Sequence, residues 1–231
     1  MLMNVLHRIS FGQLPGRALA CSIMISLAAF SGSWAAERRD VAEASYPKAG
    51  TYQLYRIQRS SSGLVIEDSA WKPHLLSAYT TGQITLFSFF YATCRDPEGC
   101  PAAWSTFEGV HEALEKDPAL HGKVRLVFLS LDPKADTPEL LSFYRSYSTK
   151  DAPWNFLTTW SVTFLKPILD HMGVSVGKEI DENGKATGVI NHMLKVFLID
   201  KDGWVREIYT TKFLNPEVVM NDIRTLTTET R

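Results

Sequence analysis

Two almost unbroken apolar runs, Ile84 to Tyr91 and Val124 to Leu131, limit what this chain can fold into more than any other feature. A strand with one wet face alternates apolar and polar side chains. A run that is apolar at nearly every position instead reads as a strand covered on both faces, in the middle of a sheet. Between the runs, Pro101 to Lys116 places Trp104, Phe107, Val110, His111 and Leu114 at three- and four-residue intervals, the spacing of an amphipathic helix. Strand, helix and strand make a β-α-β unit, with Trp104 and Phe107 as core residues.

The flanking segments extend this unit. Asp136-Thr137-Pro138-Glu139 opens a second helix, with a capping residue ahead of a proline at the first helical position and Leu140, Leu141, Phe143 and Tyr144 following. Asp136 is the expected cap, and Phe143 a core residue. Val162 to Met172 reads as a third helix despite Pro167, and Asn215 to Leu226 as the closing one. Leu194 to Ile199 and Trp204 to Tyr209 flank the turn Asp200-Lys-Asp-Gly203, the pattern of an antiparallel hairpin. Upstream, Tyr52 to Gln58 alternates, Leu64 to Ile66 is rich in β-branched residues, and Ser60-Ser-Ser-Gly63 supplies a turn, so an N-terminal β-hairpin is expected. The economical assembly is an α/β fold: a mixed sheet with helices on both faces.

Residues 1–36 read as an export signal peptide. Arg8 and Arg17 stand without an acid, Ala18 to Phe30 is apolar, and small residues surround Ser33-Trp34-Ala35. The apolar stretch is shorter than the roughly twenty residues that cross a bilayer, which favours cleavage; only an uncleaved signal would leave a membrane anchor. Cys21 lies inside this segment without the preceding residues of a lipidation site. Residues 37–50 are polar and aperiodic, the pattern of a flexible leader. That leaves 51–231 as one domain. The formal net charge is −1, from 24 basic and 25 acidic side chains, so nucleic acid is not an expected partner. Export implies a periplasmic, oxidising location.

Two cysteines then remain in the mature chain, Cys94 and Cys100, in Phe87-Ser-Phe-Phe-Tyr-Ala-Thr-Cys94 and Cys100-Pro101. They end an apolar strand where a helix begins, with Cys100 near the N-cap and Pro101 supporting the boundary. Free N–H groups and the dipole of a helix start stabilise a thiolate over a thiol, so redox or soft-metal chemistry fits. Spacing alone leaves a plain structural disulfide equally open.

Three separated motifs resemble the Sco/SenC family, exported proteins of thioredoxin-like fold that act as copper chaperones in cytochrome oxidase assembly. The first is Phe-Phe-Tyr-Ala-Thr-Cys94 with Cys100-Pro101. The second is Leu129-Ser-Leu-Asp132-Pro133-Lys-Ala-Asp136-Thr137-Pro138-Glu139-Leu140, similar to the family's Ser-x-Asp-Pro and Asp-Thr-Pro. The third is His192-Met-Leu-Lys-Val-Phe-Leu-Ile-Asp200 with Gly203, which looks like the family's metal-binding histidine ahead of a strand and hairpin. The likeness spans roughly residues 52–228. One departure stands out: the family separates its cysteines by three residues, whereas Arg95-Asp-Pro-Glu-Gly99 makes five here. Asp96-Pro97-Glu98-Gly99 is turn chemistry that can fold Cys94 back toward Cys100.

The resemblance implies a metal site of Cys94, Cys100 and His192. Two thiolates and an imidazole suit three-coordinate copper(I), and copper(II) would recruit a further oxygen ligand. Zinc is a poorer fit, because structural zinc sites are closed by four protein ligands. Met172 and Met193, with His171, are weaker candidates, since methionine mostly fills gaps in cores. His74, His111 and His121 read as surface or helix residues. Asp132 follows a central strand and either tunes the site or caps the turn before Pro133.

The function so implied is an exported metallochaperone that delivers copper to an apo-cuproprotein, such as the binuclear copper centre of a cytochrome oxidase subunit. A copper donor and an exported thiol reductant are the implied partners, because the cysteines must be reduced to bind metal. No enzymatic step is required. The alternative is an enzyme, a thiol-disulfide oxidoreductase acting on a cuproprotein's cysteines through redox-active Cys94 and Cys100. Against it, the chain has no two-residue spacer, and Asn191-His192-Met193 stands where the thioredoxin-type reductants carry a cis-proline. A third possibility is a module in which the two cysteines merely staple a loop.

Overall fold

The computed structural model describes residues 46–67, 71–94 and 99–229. The segment expected as an export signal and most of the expected leader lie outside the described residues, and Pro47–Arg231 forms a unit of its own. Its strands and helices, in chain order, are β1 (Gln58–Arg59), β2 (Leu64–Val65), β3 (His74–Leu75), α1 (Ser77–Thr80), β4 (Ile84–Phe90), α2 (Gly99–Glu115), β5 (Val124–Ser130), α3 (Pro138–Leu141), β6 (Trp154–Leu157), α4 (Val162–His171), β7 (Val176–Ile180), β8 (Ala186–His192), β9 (Val196–Ile199), β10 (Trp204–Tyr209) and α5 (Pro216–Thr228). A 3-10 turn, Tyr144–Tyr147, follows α3.

Because successive side chains of a strand point to opposite faces, the apolar run of β4 is sorted between two cores. Ile84, Leu86 and Phe90 join Leu126, Phe128, Trp154 and Phe156 under α2 and α5. Phe87, Phe89 and Tyr91 join Val127, Leu129, Phe197 and α4 residues Leu165, Ile168 and Leu169 on the other face. Among the described residues, six strands form the main sheet in the order β1-β10-β9-β4-β5-β6. β4, β5 and β6 run parallel, while β9 meets both β4 and β10 antiparallel. The mixed sheet with helices on both faces is thus the one expected, and its two runs are its central strands.

The N-terminal hairpin differs in its pairing. β2 pairs with β3, and β1 joins the edge of the main sheet through β10 rather than turning onto Leu64–Ile66. Arg56 and Arg59 stack over the Trp204 ring of β10, a contact between distant residues that local alternation cannot reveal. The last residues of the expected leader are also tied down: Gly50 N–H donates to Thr225 Oγ1 and Asn221 donates to the Pro47 carbonyl, so the chain is anchored on α5 from Pro47 onward. The edge strand β6 and the hairpin β7–β8 are additions to the predicted elements.

Local caps set the helix starts. α5 opens with Asn215, whose side chain accepts from Glu217 N–H at 2.8 Å, and with Pro216 behind it. Asn215→Ala should cost about 1 kcal/mol of stability, read as a lower urea midpoint at unchanged m-value; an unshifted midpoint would show the cap to be replaceable. α3 is capped by Thr137, which accepts from Leu140 N–H, and not by Asp136. Asp136 is wholly buried and bonded elsewhere. Phe143 is likewise not a core residue: it stands 69% exposed, because α3 ends after Leu141 and the chain tightens into the 3-10 turn.

Candidate functional site

β4 delivers its last residues to the carboxyl end of the sheet, where Tyr91 leads into a turn closed by Cys94 N–H donating to the Tyr91 carbonyl at 3.1 Å. Cys100 lies in the first turn of α2, so both sulfurs stand at the strand-helix junction that the sequence marks. They are joined as a disulfide, and both pack partly against the core that holds Phe87 and Phe89. Residues 95–98 of the enlarged spacer lie outside the described residues. Once the bond is reduced, Cys100 sits among the free N–H groups of a helix start, which favours its thiolate.

The bond closes a loop of sequence separation 6. By the chain-entropy argument such a short loop contributes only about 2 kcal/mol. Reduction should therefore lower the urea midpoint modestly and leave a folded protein, with near-ultraviolet circular dichroism as the check. Global unfolding on reduction would contradict this, and would make the disulfide a structural staple.

His192 ends β8, paired with Val176 across the hairpin. Its ring meets the edge of the Tyr91 ring at 6.4 Å between centroids, and the Tyr91 hydroxyl accepts from Ile190 N–H at 3.3 Å. Tyr91 therefore touches the histidine strand with its side chain and the Cys94 turn with its backbone. Sequence reasoning missed this residue, whose apolar neighbours mark it only as strand. In the disulfide form, among the described residues, no three His, Cys, Asp or Glu side chains gather closely enough to hold a metal ion.

The remaining candidates apart from Met193 have contacts of their own. His171 bonds the Arg59 carbonyl through Nε2 at 2.9 Å, holding α4 against β1. Met172 is buried in the core, whereas Met193, beside His192, is 68% exposed. His74 begins β3 edge-on to Tyr79, His111 lies on α2 against Trp154, and His121 bonds the Glu115 carbonyl. Asp132 caps its own turn, its carboxylate accepting from Ala135 N–H.

An opening of about 400 Å³ adjoins the disulfide, lined by Phe90, Tyr91, Pro101, Trp104, Phe128 and Tyr144 as well as both cysteines. A larger one, about 450 Å³, lies at the other end of β4. There the buried Arg206 is already paired with Asp200 at 2.9 Å and Glu229 at 2.6 Å, so its charges serve the fold.

A β-α-β core with a disulfide at the junction of a central strand and its following helix defines the thioredoxin-like class. The family model described as SCO1/SenC matches residues 74–228, more than half of the chain, and the chain belongs to that family. A curated relative, the SCO2-like protein RP587 of Rickettsia prowazekii, is 27% identical over 122 residues, which cover 53% of this chain and 56% of that protein. The chain spans only 56% to 60% of the length of the curated relatives it matches. Among solved structures, ScoI of Bradyrhizobium japonicum with copper bound superposes with a TM-score of 0.55 at 24% identity, covering 71% of this chain and 98% of that one. BsSco, described as a member of the Sco family of cytochrome c oxidase assembly proteins with a disulfide switch, gives 0.57 at 19%, covering 78% and 100%. At these identities the structures establish the fold.

Proposed function

We propose that this protein is an exported copper carrier, which takes up copper(I) on Cys94, Cys100 and His192 and passes it to an apo-cuproprotein, the binuclear copper centre of cytochrome oxidase. One observation carries the reading: the strand that ends in the Cys94 turn is joined through Tyr91 to the strand that ends in His192. The donor set fits the cargo. Two thiolates and one neutral imidazole are soft to borderline donors, matched to the polarisable monovalent ion, and three ligands leave it open to a fourth from the recipient. Copper moves by ligand exchange, without covalent chemistry.

Loading needs one change from the disulfide form: reduction of the bond, which frees both sulfurs to bind beside His192. The hairpin that carries His192 is solvent-exposed along β7 and at the start of β8, while its His192 end is held at the cysteine side of the sheet by Ile190 and Tyr91. A thiol reductant and a copper donor are the implied partners, outside the cytoplasm. The two solved structures named above support this reading, ScoI by its bound copper and BsSco by its membership of a family of cytochrome c oxidase assembly proteins. A competition titration with a chromophoric copper(I) chelator tests it: the reduced chain should retain one copper and the oxidised chain none. Equal retention by both forms would overturn it.

The second reading, a thiol-disulfide oxidoreductase acting on the cysteines of a cuproprotein, is favoured by the disulfide itself. It requires the metal-free dithiol to reduce a client disulfide rapidly.

A further inference from the structure

We infer that Asp136 is a positioning residue for the cysteine pair: its buried carboxylate clamps the turn that presents Cys94 and so sets how readily the disulfide forms. The carboxylate is wholly buried, yet it caps no helix. It accepts from the Ala92 backbone N–H, at 3.2 Å and 3.3 Å to its two oxygens, and from the Ser130 hydroxyl at 2.6 Å. Ser130 in turn accepts from Asp132 N–H at 2.9 Å, and Asp136 N–H closes the loop on the Asp132 carbonyl at 2.8 Å. The residue that bonds Ala92 thus locks two neighbouring strand ends together, at the start of the turn that Cys94 N–H completes.

This arrangement matters because Cys94 and Cys100 belong to different elements. Cys100 is fixed by α2, whereas Cys94 follows β4 and is held in place by its turn. A clamp on that turn raises the effective concentration of one sulfur at the other, and releasing it lowers that concentration. Charge acts in the same direction. A carboxylate close to the turn disfavours a second negative charge, so removing it also favours the dithiolate. Among the described residues, the ionisable groups facing Asp136 are Asp132 in its own loop and the Tyr144 phenol from the 3-10 turn, while the turn after β4 contributes the Ala92 amide and β5 the Ser130 hydroxyl.

Burial holds the Asp136 carboxyl above the ordinary carboxylate range, with the Ser130 and Ala92 bonds opposing that rise. A folded-state value above the unfolded one means that the native state binds more protons in the window between them, so stability falls as pH rises through that window. A side-chain amide at this position would resemble the protonated carboxyl. Asp136→Asn is therefore expected to keep or raise the melting temperature at neutral pH, which separates a role at the cysteines from a role in stability.

The inference concerns the same cysteines as the proposed copper site but not their cargo, so the test is read on sulfur alone and a chain that bound no copper would still answer it. In glutathione buffers, the Cys94–Cys100 disulfide and two glutathione thiols exchange with the dithiol and glutathione disulfide. The equilibrium should shift about tenfold toward the dithiol in Asp136→Ala, the size of effect expected from losing a buried charge-assisted hydrogen bond. Asp136→Asn, which keeps an acceptor for Ala92 and loses the charge, should fall between Ala and the parent. Should Asp136→Ala fail to fold, Asp136→Asn alone decides. A folded Asp136→Asn with the parent's equilibrium, alongside an unshifted or unfolded Asp136→Ala, overturns the inference.

Discussion

Replacement of either Cys94 or Cys100 by serine is expected to reduce copper(I) affinity by more than about a hundredfold, since losing merely an outer partner of a ligand typically costs about 10–100-fold. The reasoning is one of donor softness. A hydroxyl is a hard, protonated oxygen near neutral pH, and it supplies neither the charge nor the polarisability that holds copper(I). The two substitutions should be equally damaging, because each leaves a single thiolate. Stability should respond far less, since the lost disulfide contributes about 2 kcal/mol. Chelator competition on the reduced variants, with circular dichroism to confirm the fold, gives both numbers. Parent-like retention by either serine variant would remove the cysteine pair from the metal site.

His192→Ala is the second large effect, and it separates the two functional readings. Copper(I) affinity should drop by at least about tenfold, while the glutathione equilibrium of Cys94–Cys100 stays within about twofold of the parent, because thiol exchange uses no imidazole ligand. His192 ends an exposed hairpin and is half-buried, so its removal leaves no cavity in either core. An enzyme that acts through its dithiol would show the reverse pattern: unchanged copper binding and rapid insulin reduction by the metal-free chain. The experiment therefore discriminates whichever way it falls.

What the sequence reveals of this fold depends on how local the cause is. β4 and β5 are legible because each is covered on both faces, and α2 because its stripe repeats with the helical period. β6 spans only Trp154–Leu157, too short for a period to register. The hairpin β7–β8 carried a signal, Asn183-Gly184, with Gly184 at φ 76° where such turns need it. Its strands hid it, since Val176–Ile180 is exposed along its whole length and has no buried face to pattern it.

The site divides in the same way. The strand-helix junction that exposes Cys94 and Cys100 follows from a run of apolar residues and a proline, so it can be found locally. His192 enters only through resemblance, because its relation to the cysteines runs through Tyr91 and a tertiary contact. Asp136 reads locally as a helix cap for a related reason. Asp-Thr-Pro permits either residue before the proline to cap, and what decides is the buried pair of donors, Ala92 and Ser130, that only the folded sheet assembles.

Copper K-edge X-ray absorption on the reduced, copper(I)-loaded chain addresses the central claim most directly. The account predicts a three-coordinate spectrum with two sulfur scatterers and one imidazole nitrogen, and loss of the imidazole signature in His192→Ala. A two-coordinate spectrum identical in the parent and that variant, or a shell without sulfur, would contradict it.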